Sequence, residues 1–230
     1  MSTWGRRLAP LLVIATALGM TIGFLLGAAI GGDDDGLPAS IDPNASDIGF
    51  SQDMTAHHLQ AVEMSAAVLT TTSDPSIRTL AYDILTAQEN QIGQMQGWLQ
   101  AWDEPRFAPG ARMAWMPASQ HEGGQHGGEH EGGDMSGSTM AEGALMPGMA
   151  TSEEMARLRG LEGSEQDVYF LQLMLRHHEG GLPMARAAID QASTRLVTGI
   201  AQKMLDGQKK EIHLMTDLLA QRGAEPLPFN

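Results

Sequence analysis

The chain matches itself at a shift of 120 residues. Phe50, Met54, His57, His58 and Met64 fall on Phe170, Met174, His177, His178 and Met184. Asp47 and Gln52 fall on Asp167 and Gln172, and Gln88, Ile92 and Met95 fall on Gln208, Ile212 and Met215. The register runs without a gap over residues 47–99 and 167–219. A unit of roughly 55 residues has therefore been duplicated within one chain. Both copies must fold alike, and their apolar faces must fit together.

Each unit reads as two helices. In the first, Ser46 or Asp47 is placed to cap a helix that runs to about Leu69. Asp74 and Pro75 supply an N-cap and a first-turn proline for the next helix. Along that helix Leu80, Ile84, Ala87, Met95, Trp98 and Trp102 recur mostly at three- or four-residue spacing. In the second unit, Ser164 is placed to cap a helix through Tyr169, Leu173 and Met174, and another helix follows from about Thr194 to Arg222. Gly180, Gly181 and Pro183 interrupt the first helix of this unit and predict a kink there. A hairpin of this kind cannot bury both of its apolar stripes alone. Two of them predict an all-α four-helix bundle with pseudo-twofold symmetry, residues 46–103 packing on 164–226.

Three segments lie outside the repeats. Residues 8–30 carry no charge and are long enough to span a bilayer, with Arg6 and Arg7 before them and Asp33, Asp34 and Asp35 after. Residues 1–31 are read as a single-pass anchor that leaves the rest of the chain outside, followed by a linker over 32–45; a cleaved signal peptide is the rival reading. Gly19, Gly23, Gly27 and Gly31 form a smooth stripe on that helix, which serves a homo-oligomeric contact or simply a small-residue anchor. Residues 104–150, rich in Gly, Pro, His and Met, predict little stable fold. Residues 151–163 predict a short helix with a capping box from Thr151 to Glu154.

The formal charge of −14 disfavours nucleic acid as a partner and suits cations. With no cysteine, disulfides and thiolate ligands are excluded, so a soft metal site would have to use Met and His. Around the first helix, with Met54 as zero, Phe50 lies near −40°, His57 near −60°, His58 near +40°, Ala61 near −20° and Met64 near −80°. This is one inward stripe. His57 and His58 diverge by about 100°, so they serve different neighbours, and Met54 can converge with either. Met64 is about 10 Å further along the axis and belongs to another layer. Met95 is placed to reach across the hairpin.

The candidate metal ligands are thus Met54, His57, His58, Met64 and Met95, with Met174, His177, His178, Met184 and Met215 in the second unit. Thioether with imidazole favours Cu(I); imidazole with carboxylate favours Cu(II) or Zn(II). The competing reading is a packed core in which methionine is filler and the histidines form a satisfied polar layer. His121, His126 and His130, with Met113, Met116, Met135, Met140, Met146 and Met149, form a second candidate set in a flexible metal-capturing segment, or an incidental one in a glycine-rich spacer. No Glu-x-x-His of the di-iron type occurs in either unit, and no phosphate-binding glycine loop or His-Glu-x-x-His is present.

On Phe50, Met54, His57–His58, Met64, Ile92 and Met95 and their counterparts, the chain resembles the domain-of-unknown-function 305 family over residues 47–103 and 164–226. The resemblance implies a ferritin-like four-helix bundle in an exported protein. Some members, the CopM-like proteins, are linked to copper binding and resistance. It therefore implies an extracytoplasmic copper-binding protein that sequesters or transfers the ion without turnover. A non-metal interaction scaffold with a buried histidine layer, and a copper oxidoreductase, are the alternatives. Gly180, Gly181 and Pro183 depart from the family's uninterrupted helix after the paired histidines.

Overall fold

The computed structural model of the protein describes residues 42–116 and 145–229. Among these there are five α-helices and no strand: α1 Ala45–Leu69, α2 Pro75–Ala101, α3 Ser152–Gly160, α4 Gly163–Gln191 and α5 Arg195–Gln221. No helix among the described residues is long and apolar enough to cross a membrane. The expected anchor over residues 1–31, with its glycine stripe, lies outside the described residues.

α1 and α2 pack as one hairpin and α4 and α5 as the other. The hairpins meet chiefly through α1 against α4, and the short α3 rests on both of these helices. The chain forms an all-α bundle whose two inner helices carry the paired histidines.

The helix starts show how sequence becomes local structure. Asn44, two and three residues before Ser46 and Asp47, caps α1 in their place: its side-chain oxygen accepts the Ser46 and Asp47 amides, both at 2.9 Å. Asp47 completes the box by accepting the Asn44 amide at 2.9 Å. Its carboxylate also accepts the Ser193 amide and hydroxyl (2.9 and 2.7 Å) and the Thr194 amide and hydroxyl (3.1 and 2.6 Å). It thereby ties the start of α1 to the α4–α5 turn. Burial opposes its charge, but these hydrogen bonds, with Thr194 foremost, hold its pKa below the ordinary value. Asp74 caps α2 ahead of Pro75, Thr151 and Glu154 form the box on α3, and Thr194 caps α5. α4 starts at Gly163 after Glu162, which makes no side-chain cap, rather than after a Ser164 cap.

Two expectations are corrected. First, α4 runs unbroken from Gly163 to Gln191 with Pro183 inside it. The glycines serve close approach. A Cβ at Gly180 would lie 2.0 Å from the Pro147 carbonyl oxygen, so the incoming chain crosses α4 there, backbone on backbone. A Cβ at Gly181 would meet the Gln208 side chain at 2.7 Å. Burial of this part of α4 overrides its poor helix propensity.

Second, the ends of the 104–150 segment are fixed on the bundle. The outgoing arm lays Trp115 into the notch at Gly49, where a Cβ would come within 2.4 Å of the indole. Asp53 on α1 accepts the Met113 amide at 2.7 Å and the Trp115 indole N–H at 3.0 Å. The returning arm is clamped at two points. Gln60 donates to the Ala150 carbonyl at 2.9 Å, and the Ala150 amide donates to Gln60 at 2.7 Å. Gly148 supplies the turn at φ +78° that this crossing needs. Met113, Met116 and Met146 are buried. Residues 117–144 lie outside the described residues.

The glycines therefore divide by environment. Gly180→Ala should lower stability by about 1–3 kcal/mol, because the arm must lift off. Gly97→Ala, on an open face of α2 with nothing within 4 Å, should raise it by about 0.5–1 kcal/mol. Thermal unfolding of both variants checks this; equal shifts would refute the role assigned to Gly180.

Candidate metal centre

All four paired histidines are fully buried. The inward stripe puts them where α1 crosses α4. His57 and His177, equivalent positions in the two units, lie against each other with ring centroids 3.8 Å apart and planes tilted by 34°. Within each pair the rings diverge. His57 and His58 stand 6.4 Å apart at 51°, and His177 and His178 stand 6.2 Å apart at 54°. One histidine of each pair faces the other hairpin, and the second faces its own partner helix. His58 Nε2 meets Gln91 Oε1 at 2.7 Å on α2, and His178 Nε2 meets Glu211 Oε2 at 2.8 Å on α5. Gln91 and Glu211 are themselves 120 residues apart, which was the sequence signal that could have identified them.

These contacts fix the tautomers. His177 Nε2 lies 3.0 Å from the His57 carbonyl, which can only accept, so Nε2 carries the proton. His178 and His58 likewise donate their Nε2–H groups to the Glu211 carboxylate and the Gln91 side-chain oxygen. The rings of His58 and His177, whose pKa values burial depresses, then hold their lone pairs on Nδ1. The Nδ1 atoms of His58, His177 and His178, and both ring nitrogens of His57, are buried without a hydrogen-bond partner. The Pro147 carbonyl, near His57, favours that ring's charged form but does not make a hydrogen bond of good geometry. Gln88 and Gln208, equivalent residues with buried and unpartnered side-chain oxygens, belong to the same polar interior.

Methionines flank this histidine layer in two sets. Met54, Met95 and Met184 share one core cluster, and Met64, Met174 and Met215 share the other. The sets interchange under the 120-residue shift. Each takes two methionines from one hairpin and a third from the inner helix of the other hairpin. Met64 thus leaves the layer of Met54 and joins the set of Met174. The first cluster also holds Met204 on α5 and Met113, Met116 and Met146 from the connecting arms. Trp98, Trp102 and Trp115 pack against it, half-buried. The second is mainly aliphatic and aromatic, including Phe170, Leu171 and Leu173. His121, His126 and His130 lie outside the described residues.

Among the described residues, no three His, Asp or Glu side chains converge as a metal site. The soft donors that the two core clusters hold for an ion bound here are thioether sulfurs. That chemistry selects a soft monovalent ion over Zn(II) or a di-iron pair.

The layer is built for neutral rings. Burial pushes the His57 pKa down to about 3 and the His58 pKa to about 4, and takes His177 well below its ordinary value. Two cations at about 4 Å would repel by about 4 kcal/mol in a medium of effective dielectric ~20. The folded values are depressed below the unfolded value of about 6.5, so protons bind the unfolded chain first. The contribution of these rings to stability is complete above about pH 6.5 and is lost progressively as pH falls toward about 3, the folded value of His57. Chemical denaturation of the protein between pH 7.5 and 4.5, set against a His57→Phe/His177→Phe variant, should show a steeper acid loss in the wild type. Identical pH slopes would contradict buried neutral rings.

Comparison with known proteins places this geometry in a family. No protein of curated function shows significant similarity. A crystal structure of a candidate secreted DUF305 protein from Streptomyces coelicolor is 39% identical, with TM-score 0.66, over 80% of this chain and 97% of that one. A DUF305 fragment from Deinococcus radiodurans is 26% identical, with TM-score 0.58, over 77% and 97% of the two chains. CopM in its Cu(I)-bound form shares the fold at 20% identity and TM-score 0.53, over 76% and 96%. CopM has also been determined bound to Cu(II) and to silver, and in the apo form. The sequence profile described as Domain of unknown function (DUF305) matches residues 47–219, three quarters of the chain including both repeats and the arms between them, and the protein belongs to that family.

Proposed function

We propose that the protein is an extracytoplasmic copper-binding protein that sequesters or passes on the ion without chemical turnover. The observation that carries this reading is the set of buried, unpartnered Nδ1 atoms on His58, His177 and His178, together with the methionine-rich cluster around Met54, Met95 and Met184. Soft thioether and imidazole donors suit Cu(I) as cargo. Support comes also from the fold shared with CopM, whose structures include copper- and silver-bound forms. The secreted relative supports the extracytoplasmic placement. In this reading residues 46–103 and 164–226 are one ferritin-like binding bundle. Residues 1–31 hold it at the membrane as a single-pass anchor, with 32–45 as linker. The histidines at 121, 126 and 130 capture ions for the bundle.

The stacked His57–His177 pair favours a second reading, in which the histidines form a structural layer of a non-metal scaffold. One experiment separates the two. Anaerobic titration of the full chain with Cu(I) against a competing chelator should give a stoichiometry that falls when His57, His58, His177 and His178 are changed to alanine. The wild type should also melt at higher temperature with copper than without. A stoichiometry untouched by the four substitutions, with no copper-dependent melting shift, would leave the scaffold reading standing.

A further inference from the structure

The duplication gives two methionine sets, and the connecting arms extend only one of them. In the cluster around Met54, Met95 and Met184, seven of the thirteen buried residues are methionine, and none is leucine. In the cluster around Met64, Met174 and Met215, four of nineteen are methionine, and leucines dominate. If methionine were only filler, the two ends of a duplicated bundle would have no reason to differ in this way.

Three of the four added methionines come from the arms, and the fourth, Met204, from α5. Met113 and Met116 arrive on the outgoing arm, and Met146 on the returning arm, and all three are 5% exposed or less. The arms are held in place by polar anchors on α1 that the second unit lacks. Asp53 grips the Met113 amide and the Trp115 indole, and its counterpart is Leu173. Gln60 grips Ala150, and its counterpart is Gly180, the notch that admits the same arm. Met113 itself takes a left-handed backbone conformation at φ 60°, uncommon outside glycine. The bundle fixes a strained residue, and two chain segments, so as to bring three thioethers to one end.

We infer that the arms complete a single thioether-only site for a monovalent soft cation, Cu(I) or its analogue Ag(I), at the Met54–Met95–Met184 end, whereas the Met64–Met174–Met215 end is core. Thioether donors without carboxylate or thiolate give a neutral ligand shell, which a singly charged soft ion tolerates better than a divalent one. The inference rests on the proposed copper role and sharpens it. It assigns the tight site to one end of the bundle and makes the arms part of it, independently of the histidine layer. Trp98, Trp102 and Trp115 border this cluster, so three of the chain's four tryptophans report on it.

The test uses the full chain and Ag(I), which is redox-inert, with tryptophan fluorescence as the local readout and a competing chelator to set the affinity. Met113→Leu/Met116→Leu/Met146→Leu should weaken Ag(I) binding by at least about tenfold and abolish the tryptophan response. Met64→Leu/Met174→Leu/Met215→Leu should leave both unchanged. Methionine-to-leucine swaps conserve volume and are tolerated best in cores, and an unaltered circular dichroism spectrum confirms that each variant is folded. Tight binding that survives the arm substitutions, or is lost equally in both triple variants, overturns the inference while leaving a copper role for the histidine layer. Absence of Ag(I) and Cu(I) binding in the wild type overturns both.

Discussion

The face-to-face contact of His57 and His177 is the point around which the bundle is organised. It sits where the two inner helices meet, and it joins the same position of both repeats across the pseudo-twofold relation. Buried imidazoles can lie this close only while they are uncharged. Each then needs somewhere to place its one N–H. His177 uses the backbone carbonyl of His57, so the two inner helices are joined through a side chain and a main chain at the same spot. His58 and His178 turn outward and fasten the outer helices to the layer through Gln91 and Glu211. A pair of adjacent histidines thus does two jobs. One member sets the helix crossing, and the other sets the hairpin.

Much of this was legible in the sequence because the repeat fixes it twice. The helices, the inward histidine stripe, the divergence of neighbouring rings and the separation of Met64 from Met54 all follow from helical geometry applied to one unit and copied to the other. The caps at Asp74 and Thr151 were legible because their chemistry is local. What could not be read was anything that depends on a contact between distant segments. Gly180 and Gly181 looked like helix breakers because local propensity counts only the glycine's own freedom. The reason for them, a backbone crossing at Pro147 and a glutamine at 208, lies elsewhere in the chain. The ends of the glycine-rich segment looked unstructured for the same reason: Met113, Met116 and Met146 have no periodicity, and their burial depends on Asp53, Gly49 and Gln60.

The two halves have since diverged where they touch the arms and stayed alike where they touch each other. The histidines, the glutamines at 88 and 208 and the methionine sets keep their register. Asp53 against Leu173 and Gln60 against Gly180 do not. Gln91 against Glu211 changes only the charge of the histidine's partner, not its position. Positions inside the shared layer are constrained from both sides, since a change in one copy must fit its twin. Positions under the arms answer to a single segment and were free to specialise.

The route of the returning arm has a consequence for how the molecule comes together. Between Pro147 and Ala150 the chain crosses α4 at Gly180 and binds Gln60 on α1, so its contacts span both hairpins. Those contacts cannot form until the hairpins have docked. Each hairpin closes over a short stretch of sequence, whereas the Gln60–Ala150 clamp and the His57–His177 crossing close separations of 90 and 120 residues. The returning arm therefore seats only on docked hairpins, whereas the outgoing arm binds α1 alone through Asp53. Conversely, the contacts of the returning arm with Gly180 and Gln60 are separate from those that hold α1 against α4 at His57 and His177, so the arm can lift while the crossing stays intact.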